Sequence, residues 1–389
     1  MGVELKTLIQ HTEGYGIRLA AGKNGLSNNV SWAHICESAE AASFLTGEEI
    51  VMVTGIGLNR HSSLLELTEL FLSRHVSAVL INIGPYIREL PDELVKFCNE
   101  NDLPLFTVPW NTHLQDIIHT ICFMISMSEQ KSQELGSAFK NALLFPTQKE
   151  LYYVALSKYG FQIESRYSVC LISVNNPYKP LEERAATLAD DLGRALKFSW
   201  KGFSVFEYDG DILAIICAKN PEQVKTFANE IRTTIKQFLV KQETISMGVG
   251  KLTKSIRCLH KSYRQAKSIL QLQISGKIPE NRFIYSDMGL YRLLIGIDDP
   301  EILEDYYSQS LSCLVEYDRE YHSNLLETLR AYFDNNCSVK ETAEQLYVHR
   351  NTVNYKLGRI EEVTGLSLAS TQTRLQLTLA LMISDMITT

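Results

Sequence analysis

The sequence predicts a multidomain chain: an N-terminal α/β domain, a central α+β domain and a C-terminal all-α domain. Three observations predict it. The 389 residues exceed what one ordinary core organises. Short apolar runs alternate with amphipathic stretches from residue 31 to about 110, and a hairpin signal follows in the middle third. From about residue 287 the chain reads as helical to its end. The composition, 45% hydrophobic and 21% charged, is that of a soluble globular protein. No apolar run approaches the roughly 18 to 20 residues that a membrane span needs. The start, MGVELKTLIQHTEG, lacks the basic opening, apolar core and cleavage site of a secretory signal. A cytoplasmic location is therefore expected. The eight cysteines are scattered, with no C-x-x-C pair and no histidine at metal-ligand spacing, so they read as free thiols; no metal and no cofactor are expected.

In the first domain, expected over 1–125, the runs SWAHIC, EIVMVTG, SAVLINIG and LPLFTVPW alternate with segments such as SSLLELTELFLSRH. That β-α-β-α rhythm implies a mainly parallel sheet covered by helices, and such sheets bind ligands at the carboxyl ends of their strands. The candidate pocket residues are Trp32, His34 and Glu37 on and after the first run, Thr54 and Gly55 after the second, and Asn82 and Gly84 after the third. The competing reading makes them loop and cap residues. Two near-motifs fail. LAAGKNG lacks a glycine at Ile17 and a Ser or Thr at Asn24, so it is not a phosphate loop; TGIGLNR lacks the third glycine, at Arg60, of a dinucleotide fingerprint. After Trp110, Leu114, Ile118, Ile121 and Ile125, widened by Ile117 and Met124, predict a helix. Its stripe suits either intradomain packing or a helix–helix dimer contact. A helical connector is expected over 126–160, including the polar run QKSQELGSAFKNALLFPTQKE.

The central domain, expected over 161–290, has strands at 166–174, 203–219 and 244–250, with helices such as 224–240 and 259–273 between and after them. Asp209-Gly210 splits the second apolar run, which is a hairpin signature.

The last domain, expected over 291–389, contains SVKETAEQLYVHRNTVNYKLGRIEEV. Ser338 and Glu341 have capping-box spacing. Val339, Ala343 and Leu346 then share a side, and the small Ala343 admits a second helix, as a helix-turn-helix at 338–362 requires. That second helix is expected to begin near Arg350, with Val353, Leu357, Ile360 and Thr364 inward and Asn351, Asn354, Tyr355 and Gly358 outward. Between Gln345 and Ile360 lie Arg350, Lys356 and Arg359 and no acidic residue, in a chain whose net charge is −7. Asn and Arg pair with base edges, while Tyr, Thr and Lys reach phosphates. The competing reading is an ordinary exposed amphipathic helix. Tyr347 stands where many such turns have glycine.

TAEQLYVHRNTVNYKLGRIEEVTG, above all VHRNTVNYKL, closely resembles the C-terminal DNA-binding signature of the PucR family of bacterial transcription regulators, named for purine catabolism. YDREYHSNLLETLRAYFDNN and LSLASTQTRLQLTLALMI resemble its flanking helices. In that family an aromatic residue often replaces the turn glycine. GIRLAAGKNGLSNNVSWAHICES with EIVMVTG resembles the family's sensory domain, and the middle third, ending in RFIYSDMGLYRLL, resembles its degenerate cyclase-like (GGDEF-like) module. An active cyclase needs metal-binding acids. Here the first strand ends in Val174-Asn175-Asn176 and the hairpin reads Tyr208-Asp209-Gly210-Asp211-Ile212, so catalysis is not expected.

The resemblance implies a ligand-responsive regulator that binds promoter DNA as a homodimer through His349, Arg350, Asn351, Thr352, Asn354, Tyr355, Lys356 and Arg359. The implied small-molecule effector is a purine-degradation intermediate or an amino acid. Two alternatives stay open: a nucleotide-binding or nucleotidyl-cyclase-type enzyme acting through the middle domain, and a sensor that binds a partner protein through the C-terminal helices.

Overall fold

The computed structural model describes residues 2–58, 63–175, 181–197 and 199–387. The chain divides into two compact units, Met1–Leu135 and Gly136–Thr389. Arg60 and Asn176, each used above to test a motif, lie outside the described residues.

The first unit contains β1 (Val3–Glu4), α1 (Leu5–His11), β2 (Arg18–Ala21), β3 (Asn29–Val30), β4 (Trp32–Ile35), α2 (Ala39–Ala42), β5 (Glu49–Val53), α3 (Leu64–Ser73), β6 (Ala78–Ile83), α4 (Asp92–Glu100), β7 (Leu105–Pro109) and most of α5 (Leu114–Leu144). Its five-stranded sheet has the order β2-β7-β6-β5-β4, parallel from β4 to β7. The four strands read from the apolar rhythm are those four. Their alternate residues fill two cores: Val51, Val53, Val79, Ile81 and Leu105 pack with α3 and α4, while Ile50, Met52, Leu80, Phe106 and Val108 pack with α1 and α5. Both faces are covered, which is why these strands are written as continuous apolar runs.

The fifth strand, β2, runs antiparallel at the edge beside β7. Three of its four residues are exposed, so no apolar pattern announces it. It opens the LAAGKNG near-motif, and Gly22 has a backbone φ of +69°, with a Cβ there falling 2.0 Å from the Leu103 carbonyl oxygen. The glycine serves a close turn beside the sheet.

Along α5, Leu114, Ile117, Ile121 and Ile125 are buried against the sheet, and Ile118 is only partly buried. The stripe is therefore intradomain packing, centred one residue away from the predicted seam. The helix continues to Leu144, and the run expected as a polar connector buries Ala138, Phe139 and Ala142. Phe139 meets Phe161 edge-on at 5.0 Å between ring centroids.

The second unit continues with α6 (Tyr153–Lys158), β8 (Tyr167–Asn175), α7 (Leu181–Leu196), β9 (Phe203–Tyr208), β10 (Asp211–Cys217), α8 (Pro221–Phe238), β11 (Thr244–Val249) and α9 (Leu259–Ile274). The sheet order is β11-β8-β10-β9, all antiparallel. Asp209 and Gly210 join β9 to β10 with φ of 58° and 80°, the doubly positive backbone that a tight hairpin of matching twist requires. One sheet face packs with α7 and α8. On the other, α9 comes so close that a Cβ on Gly248 of β11 would lie 2.0 Å from the Ala266 carbonyl oxygen.

Six helices follow: α10 (Tyr291–Ile295), α11 (Pro300–Tyr321), α12 (Leu325–Asp334), α13 (Val339–Gln345), α14 (Arg350–Thr364) and α15 (Thr371–Ile387). One core gathers α11 to α15 around Leu314, Leu329, Val353, Ile360 and Leu377. A second joins Ile269 and Leu272 of α9 to Tyr291 and Leu294 of α10 and Ile383 of α15. The α+β and helical parts thus share apolar contacts within one unit. Among the described residues no helix is long and apolar enough to cross a membrane.

Candidate nucleic-acid interface

The helix-turn-helix is built from two capped helices and a tight turn. Ser338 caps α13 by accepting a hydrogen bond from the Glu341 amide at 3.4 Å. Ala343 is buried in the same core as Val353 and Leu357, so its small side chain lets α13 and α14 approach. Leu346 and Tyr347 form the turn, with Tyr347 at φ 55°. His349 caps α14: its Nδ1 accepts from the Asn351 amide at 3.2 Å. Gly365, in the left-handed region, ends the helix.

Phasing then sorts the side chains. Val353, Leu357 and Ile360 are buried, and Thr364 is half-buried with its hydroxyl bonded to the Ile360 carbonyl. His349, Arg350, Asn351, Thr352, Asn354 and Tyr355 are exposed. No acidic residue lies in the first turn of α14. Two donors and acceptors per Asn side chain and the fork of Arg350 therefore face solvent as hydrogen-bonding groups of the kind that read base edges. Lys356 and Arg359 differ from the other six, being half-buried and engaged within the chain. Lys356 donates to the side-chain oxygen of Asn324, just before α12. Arg359 donates to the Tyr317 hydroxyl at 2.9 Å, lies over the Tyr317 ring and pairs with Glu362.

In the first unit the candidate pocket residues separate into groups. Glu37, Thr54 and Gly55 come together: the Glu37 carboxylate accepts from the Thr54 amide at 2.7 Å, the Thr54 hydroxyl and the Gly55 amide at 3.0 Å. A carboxylate thus occupies the amides at the carboxyl end of β5. Beside it a cavity of about 90 Å³ is lined by Glu37, Ser38, Leu58 and Glu66, among others. That is room for a few waters and well below the roughly 300 Å³ of an ordinary ligand pocket. Asn82 is buried and donates to the Pro109 carbonyl, and Gly84 lies against the Trp110 ring. Trp32 and His34 are exposed on the edge strand β4, where Trp32 aligns with Glu49 at the opposite end of β5 from Thr54. The register thus sets Trp32 at the far end of the strands from Glu37 and Thr54, with His34, opposite Val51, between them. Ser38, Leu58 and Glu66 escaped sequence reading; the one available signal was the Ser63-x-x-Glu66 spacing, which forms a complete capping box at α3.

Comparison with known proteins covers the three segments separately. Residues 7–125 match the purine catabolism regulatory protein-like family, 149–272 a GGDEF-like domain, and 325–383 the PucR C-terminal helix-turn-helix domain. The last match runs from α12 into α15 and encloses the whole exposed face of α14. The first and last segments are thus similar to PucR-type domains. Relatives include the proline-responsive transcriptional activator PutR of Bacillus subtilis, 28% identical over 70% of this chain and 66% of that protein. The DNA-binding transcriptional activator AdeR of the same organism is 26% identical over 54% of this chain and 50% of its own length. Its purine catabolism regulatory protein is 32% identical over 42% of this chain and 30% of its own length. The aligned stretches thus span between about a third and two thirds of these relatives.

In the segment that matches a GGDEF-like domain, β8 ends in Asn175 and the hairpin reads Tyr208-Asp209-Gly210-Asp211-Ile212. Asn175 is exposed where β8 ends, and Asp211 follows the hairpin with its carboxyl raised by burial.

Proposed function

We propose that this chain is a ligand-responsive transcription regulator that binds promoter DNA as a homodimer through the exposed face of α14. The observation that carries this reading is the sorting of one helix into two faces: Val353, Leu357 and Ile360 buried, and Arg350, Asn351, Asn354 and Tyr355 in solvent without an acidic neighbour in the first turn. Asn351, Asn354 and Tyr355 would contact base edges; His349, Arg350, Thr352, Lys356 and Arg359 would serve bases and phosphates between them. For Lys356 this means exchanging the Asn324 oxygen for a phosphate. A single recognition helix reads few base pairs, and two half-sites supply the missing affinity, which is the reason for a dimer. The first unit would sense the effector near Glu37 and Thr54, with the protein acting in the cytoplasm on a catabolic pathway. A relative named for its proline response and another named for purine catabolism support an amino acid or a purine-degradation intermediate as effector.

The test is selection of genomic fragments by the purified protein, followed by footprinting with Arg350→Ala, Asn354→Ala and Lys356→Ala. Loss of sequence-selective protection is expected for the first two. Lys356→Ala should weaken all sequences alike and flatten the salt dependence, because phosphate contacts act through counterion release. Undiminished protection by Arg350→Ala and Asn354→Ala together would overturn the recognition helix.

A further inference from the structure

Among residues 338–362, Tyr347 is the one non-glycine residue with a positive φ. Its φ of 55° lies in the left-handed region, where a Cβ is unfavourable and glycine is free. Its ring is 96% exposed, so the side chain returns almost no burial energy to offset that cost. The backbone amide bonds to the Glu344 carbonyl at 3.3 Å, but the hydroxyl has no partner among the described residues. A tyrosine that strains the backbone and touches nothing is not explained by the fold.

Its position supplies an explanation. The turn stands three residues before Arg350, and His349, Arg350 and Thr352, which follow it in sequence, are all exposed. No carboxylate occurs from Tyr347 to Ile360. A large exposed ring with a free hydroxyl donor beside a basic, acid-free helix start suits a phosphate oxygen and its sugar, the groups that tyrosines commonly meet on nucleic acid. We propose that Tyr347 is a DNA-backbone contact: its hydroxyl donates to a phosphate flanking the bases read by α14, and its ring packs on the adjoining sugar. This inference rests on the DNA-binding reading above and adds a residue to it. Such a contact positions the helix without specifying sequence.

The experiment compares Tyr347→Gly, Tyr347→Asn and Tyr347→Phe in the full-length protein, by thermal unfolding and by titration of a selected operator and a scrambled duplex. Glycine and asparagine both accept the left-handed backbone. Relief of strain should raise the Tm of Tyr347→Gly by about 2 °C. The same variant should bind both duplexes roughly tenfold more weakly, the loss of one charge-assisted hydrogen bond. Tyr347→Asn should behave like glycine, and Tyr347→Phe should lose a smaller factor while keeping the wild-type Tm. Arg350→Ala serves as reference. If Arg350→Ala loses binding while Tyr347→Gly and Tyr347→Asn bind both duplexes as the wild type does, this contact is refuted and the recognition helix stands. If none of the three loses binding, the DNA-binding reading itself fails. A changed oligomeric state in Tyr347→Gly with unaltered affinity per protomer would assign the ring to a protein contact and also refute the proposal.

Discussion

Replacing Asp385 should damage the second unit more than any other single charge removal on α15. Its side chain is only 4% exposed, yet three groups converge on it. Arg330 of α12 approaches at 2.9 and 3.0 Å, Tyr291 of α10 donates its hydroxyl at 2.9 Å, and Lys277, after α9, sits at 3.2 Å. Burial, reinforced by the Asp385 carboxylate, pushes the Tyr291 phenol up, which keeps it a donor. Removing one partner of a buried pair costs about 3–5 kcal/mol, because the remaining charges lose their compensation. Lys277 and Arg330 are 38% and 34% exposed and can partly rehydrate, which places Asp385→Ala at the lower end, about 3 kcal/mol. For a unit of this size that corresponds to a fall in Tm of about 6–12 °C. Asp385→Asn keeps an acceptor for Tyr291 and should lose less. The assay is calorimetric and urea unfolding of the full chain, with Arg330→Ala and the double variant completing a cycle. The double variant should be less destabilised than the two single losses combined, by about 1 kcal/mol or more. A loss below about 0.5 kcal/mol for Asp385→Ala, or strict additivity in the cycle, would refute the coupling of α10, α12 and α15 through this carboxylate.

Gly248→Ala should cost about 3 kcal/mol in urea unfolding, because the new methyl would meet the Ala266 carbonyl oxygen of α9 at 2.0 Å and backbone cannot rotate away; wild-type stability would mean that α9 is not seated so tightly on β11. Burial pushes the Cys98 thiol up to about 11 and that of Cys170 to about 12. Both should resist a thiol reagent at pH 8 in the native protein and react once urea unfolds it, as mass spectrometry of the labelled peptides would report. The sign of the linkage follows: between the ordinary thiol value of 9.0 and the folded values, the unfolded chain has released protons that the folded chain still holds. Stability is therefore undiminished by these groups below pH 9 and falls as the pH rises above it; native labelling of Cys170 at pH 8 would contradict its burial.

How much of this was legible in advance differs by segment. The parallel strands β4 to β7 were legible because strands buried on both faces are written as unbroken apolar runs. The Asp209-Gly210 hairpin was legible because the required positive φ values suit Asp and Gly. The two faces of α14 were legible because a helical period of 3.6 fixes which side chains are neighbours. Strand β2 was not, since three of its residues face solvent and its place comes only from the ladder with β7. Nor was the choice of Ile117 over Ile118 on α5, because both are isoleucine and only the sheet they meet distinguishes them.

By itself, then, the sequence determined what lies within a few residues of itself: periods, caps, the turn chemistry and the acid-free stretch from Tyr347 to Ile360. The tertiary structure decided which distant groups meet. It engaged Lys356 with Asn324 and Arg359 with Tyr317, placed Glu37 on the Thr54 and Gly55 amides, and left Trp32 and His34 on an open edge. It also brought Lys277, Tyr291 and Arg330 to Asp385, and left Tyr347 strained with its ring in solvent. Local pattern is governed by bonded geometry and solvent preference, which act between near neighbours. Partners tens of residues apart are chosen only when packing returns the chain to itself.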